Sequence, residues 1–144
     1  MPLTSSLFKT SATAHISRSA LKVLLVDDDS FQLDLISEIL KSLGIGNITQ
    51  AASGAQALQA MAGTTEPFHL LLMDLHMPGM DGFQFMEAVA RSGYAGSLII
   101  VSGQSADVMR AASLVAELRR FTLLGSVPKP VGRAALSELI SKLA

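Results

Sequence analysis

The sequence predicts an α/β fold, a doubly wound parallel sheet of five strands in the order 2-1-3-4-5. Short apolar runs alternate with longer amphipathic stretches from residue 21 to residue 144, which is the pattern of parallel strands connected by helices. Five such units follow one another without an internal repeat or a low-complexity linker. Connections between parallel strands are right-handed, and 2-1-3-4-5 is the commonest order for this number of strands.

The first two strand and helix units are marked by their end signals. Residues 21–26, LKVLLV, form an apolar run that predicts a strand buried on both faces. The helix after it ends at Gly44, because glycine favours helix termination. Residues 47–52, NITQAA, predict the second strand, and Ser53 is the predicted N-cap of a helix that runs to about Met61.

The next units are the most apolar part of the chain. Residues 68–74, FHLLLMD, predict the third strand. The third helix is expected to begin near Asp81 and Gly82 and to end around Ser92. Residues 97–102, SLIIVS, predict the fourth strand.

The last two units complete the sheet. Ser105 is the predicted N-cap of the fourth helix. Four apolar residues at helical spacing are expected to share its buried face: Val108, Ala112, Val115 and Leu118. Residues 122–127, TLLGSV, predict the fifth strand, and residues 131–143 predict the last helix.

Composition excludes several classes of function. A net charge of −1 without a basic stripe disfavours direct binding of nucleic acid. The longest apolar runs are too short to cross a bilayer, so we expect no membrane partner and a cytoplasmic location. The chain has no cysteine, which excludes disulfides, thiolate metal sites and thiol nucleophiles.

The start of the chain differs in composition from the rest. Residues 1–19 are rich in Ser, Thr and Ala and contain no acidic residue, yet they lack the apolar segment of a secretion signal. We therefore predict a flexible N-terminal tail at residues 1–19 and a single domain at residues 20–144.

Polar side chains follow the predicted strands at one edge of the sheet. Asp27 and Asp28 end the first strand, Asp74 ends the third, Ser102 ends the fourth, and Lys129 follows the fifth. In doubly wound sheets, ligands bind at the carboxyl ends of the strands near the switch point in strand order. The sequence therefore predicts a functional site at this edge.

The chemistry of that site follows from the types of side chain. A few clustered carboxylates suit Mg²⁺, which keeps several waters, better than Ca²⁺. The metal would neutralise the acids and leave Asp74 able to attack a phosphoryl group. Ser102 and Lys129 would then hold the phosphoryl oxygens, since positioning and electrostatics do most of the work in phosphoryl transfer.

Four motifs carry a resemblance to a known family. VDDD, MDLHMPGMDG, VSGQ and PKP occur in this order, and with the strand pattern the chain resembles a two-component response regulator receiver domain over residues 21–144. The resemblance implies a flavodoxin-like (βα)5 fold and a signalling domain that catalyses only its own phosphorylation and slow dephosphorylation. It also implies a histidine kinase or phosphotransfer protein as donor, a downstream output domain or protein, and a homodimer through helix 4, strand 5 and helix 5.

The resemblance assigns a role to each site residue. Asp74 would be the phosphoacceptor, and Ser102 and Lys129 would match the switch hydroxyl and the lysine of the family. Asp28 would bind Mg²⁺ directly and Asp27 mainly through a water. The metal set would be completed by Asp74 and by the backbone carbonyl of His76.

The loops around the site also match the family. Gly79 and Gly82 suit the tight turn after the acceptor. The resemblance implies a cis peptide between Lys129 and Pro130, which proline tolerates at modest cost.

Neighbouring polar residues have simpler structural interpretations. Asp29 is expected to cap the first helix and not to bind metal. Asp81 is expected to support the turn or cap the third helix, and His69 is expected to be a structural or surface residue and not a metal ligand. The methionines near the site are interpreted as core and loop filler.

Two features depart from the family pattern. Ser126 occupies the position on the fifth strand, three residues before the lysine, where many receivers have an aromatic residue. The segment between Ser102 and Lys129 is longer than usual and resembles that of receivers fused to EAL-type cyclic di-GMP phosphodiesterases.

Two alternative functions stay open from the sequence. A haloacid-dehalogenase-type phosphatase also uses an aspartate nucleophile with Mg²⁺, and DDDSF superficially resembles its motif, but Phe31 stands where Thr or Val is expected. The second alternative is a receiver that binds partners without being phosphorylated. The complete set of acids, hydroxyl and lysine argues against it.

Overall fold

The structure, a computed structural model, describes residues 16–77, 79–103 and 106–144. Its strands are β1 (Lys22–Val26), β2 (Asn47–Ala51), β3 (Leu70–Asp74), β4 (Ser97–Ser102) and β5 (Thr122–Pro128). Its helices are α1 (Ser30–Ser42), α2 (Gly54–Gly63), α3 (Gly82–Arg91), α4 (Ala106–Leu118) and α5 (Arg133–Ile140). A short 3₁₀ helix, Arg18–Ala20, precedes β1.

The five strands form one sheet in the predicted order, β2-β1-β3-β4-β5, and every neighbouring pair is parallel. The predicted fold is therefore confirmed. β3 and β4 lie inside the sheet, and all their residues are buried. Pairing between β4 and β5 shifts register between Leu98 and Ile99, and nearby Gly125 has a φ of +154° that few other residues adopt.

Two apolar cores cover the two faces of the sheet. Alternate β1 residues point to opposite sides, so Val23 and Leu25 belong to one core and Leu24 and Val26 to the other. α1 and α5 pack in the first core, whereas α2, α3 and α4 pack in the second. This two-sided cover is the reason why the central strands are apolar throughout.

Side-chain caps fix where three helices begin. The backbone N–H of Phe31 donates to Asp29, and that of Gln56 donates to Ser53. Asp81 and Gln84 form a reciprocal capping box at the start of α3. The predicted caps at Asp29, Ser53 and Asp81 are confirmed, and Ser105 lies outside the described residues.

The predicted buried face of α4 is wrong at one end. Ala112 and Ala116 are fully buried, whereas Leu118 is 70% exposed. Leu118 lies about 120° around the helix axis from Ala112. The alanines have small side chains, which let the helix lie close to the sheet, and this rotation turns Leu118 outward.

The segment before β1 is not a free tail at its C-terminal end. The backbone N–H of Ile16 donates to the carbonyl of Leu143, and the Arg18 guanidinium donates to the carbonyls of Leu43 and Ala144. Ile16 and Arg18 therefore contact the domain, and the predicted division at residue 20 stays a prediction. Residues 1–15 lie outside the described part.

Other element boundaries differ by a few residues from those predicted. β3 begins at Leu70 and not at residue 68, and α5 covers Arg133–Ile140 and not residues 131–143. A turn replaces the last predicted residues of α5. Among the described residues, no helix is long and apolar enough to cross a membrane.

Candidate functional site

Three carboxylates meet at the carboxyl edge of the sheet. Asp27 and Asp28 follow the last residue of β1, and Asp74 is the last residue of β3, the strand paired with β1. One carboxylate oxygen from each of the three lies within 4.8 Å of the others. Asp27 and Asp74 are 2% and 4% exposed, whereas Asp28 faces solvent. The cluster is therefore open on the side of Asp28.

Lys129 supplies positive charge to this cluster. Its ammonium lies 2.8 Å from a carboxylate oxygen of Asp27 and 3.4 Å from one of Asp74. Three carboxylates thus face one ammonium, and the cluster keeps an excess of negative charge when its acids are ionised. Such a set of hard oxygen ligands suits a divalent cation like Mg²⁺.

Backbone N–H groups orient the two buried acids. The N–H of Asp29 donates to Oδ1 of Asp27 over 2.9 Å. The N–H of His76 donates to the carboxylate of Asp74. Each buried carboxylate is thus held by its own loop as well as by Lys129.

Burial changes the proton affinity of two of these groups. Desolvation raises the pKa of Asp74, the charge of Asp27 raises it further, and the opposing effects of His76 and Lys129 are smaller. Burial of Lys129 lowers its pKa, but the hydrogen bond to Asp27 and the charges of both acids outweigh this, so its pKa is raised. Lys129 is therefore an ammonium at neutral pH.

Ser102 ends β4 beside the acid cluster. It is 1% exposed, and the preceding residue, Val101, pairs with Asp74. The backbone N–H of Lys129 donates to the carbonyl of Ser102 over 3.1 Å, so the two residues are tied together at the same edge. The peptide between Lys129 and Pro130 is cis, as the resemblance implied.

Two glycines shape the turn after Asp74. Gly79 has a φ of +84°, a left-handed conformation that glycine adopts without strain. A Cβ on Gly82 would lie 2.7 Å from the Cα of Leu75, and the N–H of Gly82 donates to the carbonyl of Leu75 over 2.8 Å. The turn closes tightly because position 82 has no side chain.

The structure brings most of the predicted site together. Asp27, Asp28, Asp74, Ser102 and Lys129 all lie at the carboxyl edge of the sheet. His76 is exposed, and its backbone N–H donates to the carboxylate of Asp74. The close pair of Lys129 with Asp27 was not predicted, since no local sequence signal connects residues so far apart in the chain.

The structure also shows the contacts of His69 and the exposure of Ser126, two positions singled out from the sequence. His69 accepts a hydrogen bond on Nδ1 from the backbone N–H of Lys22 over 2.9 Å, which confirms a structural role. Ser126 is exposed on β5 and borders a groove of about 360 Å³ whose other wall is α4. No aromatic side chain occupies that position on β5.

Comparison with known proteins identifies the family. The sequence model of the response regulator receiver domain matches residues 23–141, nearly the whole of the described fold. The chain belongs to the response regulator receiver domain family. The predicted membership is confirmed, and receiver domains are signalling domains of two-component systems. Nothing in the comparisons supports a haloacid-dehalogenase-type phosphatase.

Individual relatives of this receiver domain differ in length. It is 39% identical over 98 residues to a Rhizobium etli protein named "Probable chemotaxis protein CheY". The aligned residues make up 65% of this chain and 74% of that protein. It is 29% identical over 122 residues to the cyclic di-GMP phosphodiesterase RocR of Pseudomonas aeruginosa, covering 85% of the chain but 31% of RocR. This receiver domain therefore spans under a third of RocR.

Solved structures agree with this assignment. A CheY-like receiver domain protein from Methanospirillum hungatei JF-1 superimposes with a TM-score of 0.71 at 27% sequence identity. The match covers 85% of this chain and 93% of that one. The receiver fold is thus shared over most of both chains.

Proposed function

We propose that this receiver domain accepts a phosphoryl group on Asp74 from a histidine kinase or phosphotransfer protein. The observation that carries the proposal is the meeting of Asp27, Asp28 and Asp74 with Lys129 at one edge of the sheet. Asp74 is the member of the cluster that ends a central strand, and its carboxylate lies near both the other acids and the Lys129 ammonium. It is held in place by contacts that leave the cluster open toward Asp28.

The transfer is a displacement at phosphorus. The P–N bond of a phosphohistidine breaks while a carboxylate oxygen of Asp74 forms a new O–P bond. The imidazole leaves with the electrons of the broken bond and takes up a proton. The product on Asp74 is an acyl phosphate, and attack of water on its phosphorus later restores the carboxylate.

Mg²⁺ is part of the proposal because the residues suit it. Asp27, Asp28 and Asp74 offer carboxylate oxygens close together, and the backbone carbonyl of His76 would add another ligand. A bound Mg²⁺ would offset negative charge on the acids and on the incoming phosphoryl oxygens. Asp28 is the exposed member, and it would be the first of these acids to meet an ion from solvent.

Ser102 and Lys129 would bind the phosphoryl oxygens. The Lys129 ammonium lies 3.4 Å from the carboxylate of Asp74, so a phosphoryl group there comes within its reach. A charge-assisted hydrogen bond from Lys129 and one from the Ser102 hydroxyl would then hold the new group. These contacts would differ between the free and phosphorylated states, which is what a two-state switch requires.

The same proposal covers the partners. An output domain or protein would read the switch, and the match to part of the longer cyclic di-GMP phosphodiesterase RocR gives one example of a protein that contains a similar segment. On α4, Leu114 and Leu118 are 56% and 70% exposed one helical turn apart, which supports a homodimer through α4, β5 and α5. We place the domain, residues 20–144 with residues 16–19 packed on it, in the cytoplasm.

Intact mass after treatment with acetyl phosphate and Mg²⁺ tests the function. The wild-type chain should gain the mass of one phosphoryl group, and Asp74→Asn should gain none because an amide is not a competent nucleophile here. Asp28→Ala should also lose labelling. The matched control is Asp29→Asn, which alters an adjacent acid that caps α1 and should leave labelling intact.

The results separate this function from the alternative of a receiver that is never phosphorylated. Absence of labelling in the wild-type chain, with Mg²⁺ present, would favour that alternative. Full labelling of Asp74→Asn would place the acceptor at another residue.

A further inference from the structure

A pocket lies at the opposite edge of the sheet from Asp74, between the C-terminal ends of α2 and α3. Its volume is about 430 Å³, within the range of small-molecule sites. The ring of buried Phe68 forms part of its lining, together with half-buried Leu58, Met61 and Tyr94. Exposed residues such as Thr65 also line it, so the pocket opens to solvent.

The loop from α3 to β4 builds one wall of this pocket. Gly93 has a φ of +82°, which turns the chain sharply after α3. A Cβ on Gly96 would clash with the Tyr94 ring, so the glycine leaves room for that ring. The Tyr94 hydroxyl donates to the carbonyl of Ser97 over 2.8 Å. The hydroxyl of Tyr94 is therefore satisfied within the protein, and its ring is what the pocket presents.

Lys22 does not line the pocket itself, but its ammonium contacts two of the residues that do, Thr64 and Phe68. Its ammonium donates to the hydroxyl of Thr64 and, over 2.7 Å, to the backbone carbonyl of Glu66. It also lies 4.7 Å from the centre of the Phe68 ring. Within residues 16–77, 79–103 and 106–144, no carboxylate lies within ion-pair distance of this ammonium.

We propose that the pocket binds a small carboxylic acid with an apolar body, its carboxylate on Lys22 and its body among Leu58, Met61, Phe68 and Tyr94. An ammonium has three donor hydrogens, and Lys22 uses two of them on neutral acceptors. A carboxylate would use the third and supply the missing negative charge. The apolar walls would take the rest of the ligand out of water.

The chemistry of the pocket argues against other ligands. Inorganic phosphate would leave the apolar walls exposed to water, and a neutral apolar molecule would leave the Lys22 charge uncompensated. The site is independent of the phosphorylation chemistry because it lies at the amino ends of the strands, whereas Asp74 ends β3. It can therefore exist whether or not Asp74 is phosphorylated.

Backbone NMR of the full ¹⁵N-labelled chain tests the proposal with a matched pair of probes, phenylacetate and phenethyl alcohol. Both have the same aromatic body, and only phenylacetate carries a carboxylate. We expect phenylacetate to shift resonances of the pocket loops, residues 64–68 and 92–96, and to bind about tenfold more tightly than the alcohol, as a hydrogen bond to a charged group allows.

Two variants locate the binding groups. Lys22→Met keeps the side-chain stem over Phe68 and should weaken phenylacetate about tenfold while leaving the alcohol unchanged. Ala62→Trp places a bulky ring at an exposed lining position and should reduce binding of both probes. Asp74→Asn should bind both as the wild-type chain does.

Three outcomes would overturn the proposal. The first is an absence of shifts in the pocket loops at millimolar phenylacetate. The second is equal affinity for the acid and the alcohol together with an unchanged Lys22→Met, which would mean an apolar cleft without charge recognition. The third is binding that appears only after residues 2–15 are removed, which would mean that the chain itself fills the pocket.

Discussion

The two edges of the sheet hold a lysine in different ways. At the carboxyl edge, Lys129 lies 2.8 Å from Asp27 and 3.4 Å from Asp74. At the amino edge, Lys22 bonds to a hydroxyl and a backbone carbonyl and lies over the Phe68 ring. The first lysine neutralises buried acids, whereas the second is held by neutral groups.

The carboxyl edge contains buried charges that oppose folding. Asp27 and Asp74 are buried side by side, and desolvation with mutual repulsion raises the pKa of Asp74. Buried charges of this kind often stabilise a protein less than apolar residues would. The acids at the carboxyl edge are therefore expected to be kept for the chemistry of the site and not for stability, whereas the contacts of Lys22 at the amino edge carry no such cost.

The largest expected effect comes from removing Lys129. Lys129→Met would leave Asp27 buried without its counter-charge, and we expect the free energy of unfolding to fall by about 3 kcal/mol. Urea denaturation at neutral pH without Mg²⁺ measures this. Lys22→Met is the matched control, with an expected loss of about 1 kcal/mol. Equal losses in the two variants would mean that the two edges do not differ as described.

A smaller effect is expected from filling the turn after Asp74. Gly82→Ala would place a Cβ 2.7 Å from the Cα of Leu75, and we expect a loss of about 2 kcal/mol because backbone atoms cannot move aside easily. Gly63→Ala, which meets no atom within 4 Å, is the control. It should be neutral or stabilising by about 0.5 kcal/mol. An unaffected Gly82→Ala in thermal denaturation would show that the turn is not tightly packed.

Removing the charge of Asp74 should stabilise the domain. A carboxyl whose pKa folding raises binds its proton more tightly in the folded state. Its contribution to stability is therefore lost as pH rises from the ordinary aspartate value of 3.8 through the raised pKa. We expect Asp74→Asn to melt about 3 °C higher than the wild-type chain at neutral pH without Mg²⁺.

The pH dependence provides the check on that stabilisation. The difference in melting temperature between Asp74→Asn and the wild-type chain should shrink as pH falls through the raised pKa of Asp74 toward the ordinary aspartate value of 3.8, because Asp74 then carries its proton in the folded chain. Glu38→Gln, which alters an exposed ion pair with Lys41, should show no such trend. A lower melting temperature for Asp74→Asn at neutral pH would contradict the described balance of charges.

The last prediction, with the smallest expected effect, concerns the conformational change that phosphorylation would cause. Beryllofluoride, which mimics a phosphoryl group, should change backbone NMR shifts most across residues 102–120 and much less at Ser126. The reason is that Ser102 gains a hydrogen bond, whereas Ser126 has no ring to move inward. Backbone shifts of residues 64–68, beside the amino-edge pocket, should stay unchanged. If the largest shift changes lie in α1 and the shifts of residues 102–120 stay unchanged, this mechanism is wrong.

Local signals predicted the elements well where the signals were strong. β4 was predicted to the residue because the apolar run SLIIVS lies between Gly96 and Gly103. The cap at Asp81 was predictable because a side chain and its own helix start decide it. Leu118 was misplaced because helical spacing shows which residues share a face but not how far the helix rotates against the sheet.

From the sequence we predicted the strand order, as the commonest one for five strands, and the starts of α1, α2 and α3. The sequence also predicted the edge at which five site residues gather: Asp27, Asp28, Asp74, Ser102 and Lys129. These follow from local periodicity, from caps and from the parallel topology. Three features became visible only in the folded structure: the close pair of Lys129 with Asp27, the contacts of residues 16–19 with the domain, and the pocket near Lys22. Those features depend on distances between segments far apart in the chain, which no local pattern specifies.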